Sequence, residues 1–175
     1  MSDFAHRLAL DRIRDGDRLD LVADNEERRA VAERLGLDEI GRLEAHAALS
    51  RTGELVRARG RVNAAVTQSC VVTGDPVEAQ VDEPFDILFM RAPAGDRPEE
   101  EIELGEADCD VVFHDGAAID LGAAIADSLA LGLDPYPRSA GADAALKEAG
   151  VVSEEEAGPF AALAQLRNKL GESGS

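Results

Sequence analysis

The chain has 175 residues and carries 36 Asp and Glu against 18 Lys and Arg, a formal charge of −18. That length suits one domain with tails, or at most two small units, and can bury roughly 68–70% of the unfolded surface without a metal or disulfides. At 45% apolar residues the chain is globular rather than disordered, and its acidity repels nucleic-acid phosphates and favours basic partners.

In chain order, two short apolar-rich pieces (8–13 and 19–22) flank a turn at Asp15-Gly16-Asp17, and the second reads as a short strand. A helix is predicted over 24–35. Asp24 with Glu27 three residues on forms a capping box, Ala30, Val31 and Leu35 form an apolar stripe, and Gly36 is the stop. Leu43, Ala45, Ala47 and Leu49 alternate with polar or small residues, as in a half-buried strand, and Arg51-Thr52-Gly53-Glu54 reads as a four-residue hairpin loop.

The stretch 54–90 then reads as a long β-hairpin. Val56, Ala58, Val62, Ala64, Val66 and Cys70 share one face of its first strand, and Arg57, Arg59, Arg61, Asn63 and Thr67 the other. Val77, Ala79, Val81, Phe85, Ile87 and Phe89 share a face of the second strand, past a turn at Thr73-Gly74-Asp75-Pro76. These faces suggest a register with Leu49 opposite Val56, Glu44 opposite Arg61, His46 opposite Arg59, Cys70 opposite Val77 and Arg61 opposite Asp86.

Residues 92–110 read as a Pro-, Gly- and acid-rich loop with short strands at 102–104 and 111–113. Asp75 through Asp110 holds 13 acids and two bases, a net −11, whereas Arg51 through Cys70 holds four Arg and one Glu, a net +3. A second helix is predicted over 119–133, capped by Asp120, with Leu121, Ile125, Leu129 and Leu133 facing the core and Asp134-Pro135-Tyr136-Pro137 ending it. The remainder divides into an acidic linker (138–157) and a short helix over 158–170, opened by Pro159 and striped by Phe160, Leu163, Leu166 and Leu170.

Little here points to reaction chemistry. Cys70, Cys109 and three His are scattered without a ligand spacing, so no metal is expected. Cys70 reads as a half-buried small residue, and no phosphate loop, dinucleotide fingerprint or nucleophile elbow is present. Asp120, Asp127 and Asp134 repeat every seven residues, which reads as a solvated helix seam. No secretory leader is apparent and no run of about 18 apolar residues exists, so a cytoplasmic protein is expected. The one feature suited to RNA is the face of Arg57, Arg59 and Arg61, three guanidiniums able to hold phosphates. With acids predicted across the strand, an internal salt ladder is the plainer account of them.

Several of these stretches together resemble the YceD family in the form of its alphaproteobacterial branch: VTQSCVVTGDPVE at 66–78, EPFD at 83–86, IDLG at 119–122, LALGLDPYP at 129–137 and PFAALAQL at 159–166. The resemblance covers nearly the whole chain. It implies a role in accumulation and processing of large-subunit ribosomal RNA, and so in ribosome biogenesis, without a known catalytic activity. Many relatives carry a Cys-x-x-Cys-like pair at the hairpin turn, some with further C-terminal cysteines that suggest a metal knuckle. This chain has Thr73 at the second position and no cysteine after Pro137, so zinc is not carried over.

The expectation is therefore an α+β fold, mostly an antiparallel sheet built on the long hairpin, with two packed helices and a C-terminal helix after a linker. Residues 1–137 would form a single domain. The protein would be a non-enzymatic accessory factor without cofactors, whose partner is a basic ribosomal or rRNA-processing protein. Direct RNA binding through Arg57, Arg59 and Arg61 is the alternative.

Overall fold

A computed structural model of the protein describes residues 4–92 and 109–151. The chain is α+β with mostly antiparallel strands, and it divides into two units: Met1–Gln68 with Pro76–Pro135, and Ser69–Asp75 with Tyr136–Ser175.

The first unit opens with β1 (Arg7–Ala9), a 3-10 turn (Leu10–Arg12) and β2 (Arg18–Val22). The predicted turn lies between the last two: Gly16 has φ 88°, and the Arg14 amide donates to the Asp17 carboxylate at 2.8 Å. Helix α1 (Asn25–Leu35) begins as predicted. Asp24 accepts from the amides of Glu26 and Glu27, the Glu27 side chain returns to the Asp24 amide, and Gly36 closes the helix at φ 67°. Its buried residues are Val31 and Ala32.

β3 (Glu39–Thr52) and β4 (Leu55–Ser69) are antiparallel, and β3 starts earlier than its alternation implied because a bulge between Ile40 and Arg42 breaks the period. The predicted register is corrected here. Leu49 pairs with Ala58 rather than Val56, Glu44 with Asn63, and His46 with Arg61. The cause is the loop, which is two residues long rather than four. Thr52 pairs with Leu55, and Gly53 takes φ 64° ahead of Glu54, the order of a type II′ turn. A shift by two residues leaves each side chain on its predicted face, so hydrophobic alternation had no means of detecting it.

β5 (Pro76–Arg91) lies beside β4 in a five-stranded sheet of order β2-β3-β4-β5-β6. β6 (Asp110–His114) runs parallel to β5 at the sheet edge, an exception in this antiparallel sheet. β7 (Ala118–Asp120) pairs with β1 in a separate two-stranded sheet. The predicted helix start at 119 is thus a strand end, and α2 covers Leu121–Leu131 with Asp120 accepting from the Ala123 amide at 3.0 Å.

α1 packs on β3 and α2 on β5, and an Arg34–Asp127 ion pair joins the helices at 2.9 Å. The core lies between them and the inner sheet face, where Leu43, Val56, Val62, Ile87, Phe89, Leu121, Ile125 and Leu129 are fully buried. Buried His114 is satisfied in its neutral form. The Gly116 amide donates to Nδ1 at 3.0 Å, so Nε2 carries the proton and donates to the Glu54 carbonyl at 3.0 Å.

In the second unit, the stretch expected as a linker holds helix α3 (Ala142–Glu148), with Ala142 buried. Composition pointed to a linker because the stretch is small and acidic, but Ala, Leu and Lys are also good helix formers. The predicted strand at 102–104 and the C-terminal helix at 158–170 lie outside the described residues. Among the described residues no helix is long and apolar enough to cross a membrane.

Candidate nucleic-acid interface and the Cys70 turn

The polar side chains of β4 stand on the sheet face opposite the core, because the inward positions are taken by Val56, Ala58, Val62, Ala64 and Val66. Arg57 holds Asp86 with two bonds, Nε to Oδ1 at 2.6 Å and a terminal nitrogen to Oδ2 at 2.7 Å. Arg59 Nε donates to the same Asp86 Oδ2 at 3.0 Å. Arg61 Nε donates to Asp82 Oδ1 at 2.8 Å. As the arginine number rises the aspartate number falls, which is the signature of antiparallel neighbours.

The predicted Arg61–Asp86 partnership is therefore corrected to Arg61–Asp82, with Asp86 serving Arg57 and Arg59. The reason is again a tight turn. The Cys70 amide donates to the Asp75 carbonyl at 2.7 Å, and Gly74 at φ 76° donates back to the Cys70 carbonyl at 2.9 Å. Pro76 thus opens β5 instead of closing the turn. A transverse row completes the neutralisation: Asp20 lies 2.6 Å from His46 Nδ1, His46 pairs with Arg61, and Arg61 meets Asp82.

All three arginines are thus engaged by carboxylates, and the two most exposed, Arg59 and Arg61, keep 61% and 54% of their side-chain surface. A phosphate approaching this face would meet guanidiniums whose charge is already opposed by Asp82 and Asp86. The bonds from Arg57, then Arg59, hold the Asp86 carboxyl below the usual carboxylate range against the opposing effect of burial. A depressed carboxyl contributes stability that is present above its unfolded value, about pH 4, and is lost as pH falls through the folded value. Replacing Asp86 with Asn is expected to cost about 1 kcal/mol at neutral pH and to flatten the acid limb below about pH 4. Urea midpoints across a pH series measure both; an unchanged acid limb would show that this ladder adds nothing to stability.

The second unit brings together residues that are far apart in sequence. Buried Cys70 accepts hydrogen bonds at Sγ from the amides of Ser139 (3.2 Å) and Thr73 (3.5 Å). Thr73 Oγ1 donates to Asp75 Oδ2 at 2.6 Å and lies 3.1 Å from Ser139 Oγ, while the Val71 amide donates to the Pro137 carbonyl at 2.9 Å. The bonds from Ser139 first and Thr73 second lower the Cys70 thiol to about 6, burial opposing them. The reading of Cys70 as a plain half-buried residue missed this arrangement. Thr73-Gly74-Asp75 was legible as a turn, but nothing local marked Ser139 as its partner. Among the described residues no three or more His, Cys, Asp or Glu side chains are grouped to hold a metal ion.

A lowered thiol pKa contributes stability above the unfolded value and loses it as pH falls through the folded one. In a Cys109→Ser background, thiolate absorbance is therefore expected to titrate near pH 6, and Thr73 and Ser139 amides to gain exchange protection as pH rises above 6, once intrinsic exchange is divided out. Titration at the ordinary thiol value of about 8.5 would refute this.

Residues 58–167 match the family model described as "Large ribosomal RNA subunit accumulation protein YceD". No curated protein and no solved structure matches. The matched span covers β4 from Ala58 onward and all of β5, β6, β7, α2 and α3, well over half of the 175 residues, and so includes Arg59, Arg61 and the Cys70 turn, with Arg57 just before its start. On this match the chain belongs to the YceD family, whose description names accumulation of the large ribosomal subunit RNA.

Proposed function

We propose that this protein is a non-enzymatic accessory factor in large-subunit ribosomal RNA processing and ribosome biogenesis, acting in the cytoplasm through a basic protein partner and without a cofactor. The observation that carries the reading is the pairing of Arg57 and Arg59 with Asp86 and of Arg61 with Asp82, on a chain of net charge −18. The one basic stripe is spent internally, which leaves a molecule whose long-range field draws cations and repels phosphates. In the test, the full chain is tagged and cell extracts are fractionated on gradients. Enrichment with precursors of the large subunit is expected, through a contact that survives nuclease treatment. Equal recovery from free cytosol and particles would count against the proposal.

A second reading, direct RNA binding, draws on the exposure of the Arg59 and Arg61 guanidiniums. It requires salt-dependent affinity for RNA that falls when Arg57, Arg59 and Arg61 become Ala. Affinity unchanged in that triple variant would exclude it.

A further inference from the structure

β2 forms one edge of the five-stranded sheet and pairs only with β3. The Leu49 amide donates to the Asp17 carbonyl at 2.7 Å and the Ala23 amide to the Leu43 carbonyl at 2.9 Å. Backbone groups alternate in direction along an antiparallel strand, so Leu19 and Leu21 bond β3 while the amides and carbonyls of Arg18, Asp20 and Val22 point out of the sheet. Among the described residues nothing bonds to these outward groups. All three residues are exposed, Val22 by 69%. An open edge is a template for another strand, and proteins blunt it with Pro, a bulge, extreme shortness or charge. β2 has no Pro and pairs with β3 without a register shift over its five residues. Its charges are one of each sign, Arg18 and Asp20.

Charge decides which strand fits this edge. A net −18 opposes self-association for the chain as a whole, but that charge is unevenly spread. The first 74 residues, which hold β2, α1, β3 and β4, contain 13 Asp and Glu and 12 Lys and Arg, a net −1. Asp75 through Asp110, which holds β5 and reaches the start of β6, nets −11. Two copies therefore meet little repulsion at the β2 edge, whereas the β6 edge sets acid against acid. The strand is also self-complementary. Two antiparallel copies related by a two-fold axis, with their buried faces on the same side, must pair about a single residue. Centring on Arg18 or Asp20 sets like charges opposite. Centring on Leu19 sets each Arg18 opposite the Asp20 of the second copy, each such pair exchanging both of its backbone bonds. Arg18 has no side-chain partner among the described residues, and Asp20 uses Oδ1 for His46, which leaves Oδ2 for this contact. The same register places Leu19, which packs against the core, beside its own copy. Helix α1 packs over β3, so the two α1 helices stand about three strand spacings apart, roughly 14 Å, and do not collide.

We propose that this protein self-associates as a two-fold dimer through antiparallel pairing of β2 with β2 about Leu19, with Arg18–Asp20 ion pairs on the outer sheet face. A join of one short strand is small, so the dimer is weak and concentration-dependent. The inference does not depend on the partner reading above.

The test is sedimentation velocity of the full chain over a concentration series reaching the millimolar range. The mean mass is expected to rise from that of one chain towards two. Arg18→Asp and Asp20→Arg each set like charges opposite at both pairs, and each should lower the association constant about tenfold or more. The double variant, Arg18→Asp with Asp20→Arg, restores opposite signs and should recover it. Diffuse repulsion predicts the reverse for Asp20→Arg, which makes the chain less acidic. Amide exchange at Arg18 and Asp20 should slow as concentration rises, and that at Val111 and Phe113 on the other sheet edge should not. The wild-type series decides the matter even where a variant fails to fold. A single-chain mass at every concentration would overturn the proposal. A dimer that survives both single reversals, or one that the double variant does not recover, would overturn it as well.

Discussion

Replacing Phe89 with Ala is expected to destabilise the protein by about 3–5 kcal/mol, a large part of the roughly 5–15 kcal/mol that holds a domain of this kind together. Phe89 is fully buried on β5, the strand against which α2 packs, and is the largest of the fully buried side chains. Truncation removes the transfer energy of the ring and leaves a void, because Ile87, Ile125 and Leu129 around the core are themselves buried and have little freedom to close it. Phe113→Ala is the matched control. It deletes the same ring from an exposed position and should cost within about 0.5 kcal/mol. Urea unfolding with an unchanged m-value measures both. Similar costs for the two would mean that Phe89 is not the centre of the core.

Gly122→Ala tests a contact between two segments. By helix propensity alone Ala in α2 should stabilise by about 1 kcal/mol. The structure predicts the reverse. A Cβ at Gly122 would run into the Phe4 carbonyl oxygen, and would come within 2.8 Å of the Phe4 carbonyl carbon and the His6 amide nitrogen. These are backbone atoms, and the segment is tied in place: the Leu121 amide donates to the His6 carbonyl at 3.0 Å, and Phe4 is buried. Overpacking of this kind costs about 1–3 kcal/mol, enough to outweigh the propensity gain. A net loss of about 1 kcal/mol would lower Tm by roughly 3 °C. A rise in Tm would show that the N-terminal segment gives way freely and that propensity governs the site.

These two positions differ in how legible they were. Phe89 belonged to an alternating run whose inward face could be read directly. Gly122 looked like an ordinary helix residue after a cap, since nothing nearby in sequence shows that the chain near Phe4 crosses over it. The same division runs through the candidate site. Arg57, Arg59 and Arg61 were placed on one polar face, opposite acids, from period two alone. The acids that Arg61 would meet were misjudged, because both flanking loops are tighter than their composition suggested. Thr73 and Asp75 were recognisable as turn residues, but their meeting with Ser139 depends on a return of the chain more than sixty positions later.

The sequence by itself determined which residues face inward, where α1 begins and ends, that Asp120 caps a helix, and to which family the chain belongs. Those features depend on side-chain period, on hydrogen bonds within three or four residues, or on the order of short motifs, and each is written locally. Tertiary structure alone decided the strand register, the pairing of Asp82 and Asp86 with their arginines, the parallel placement of β6 and the donors on the Cys70 sulfur. Each of these depends on loop closure and on contacts between distant segments. A two-residue change of register preserves every hydrophobic face, so the pattern in the chain is the same for either outcome and only the assembled sheet chooses between them.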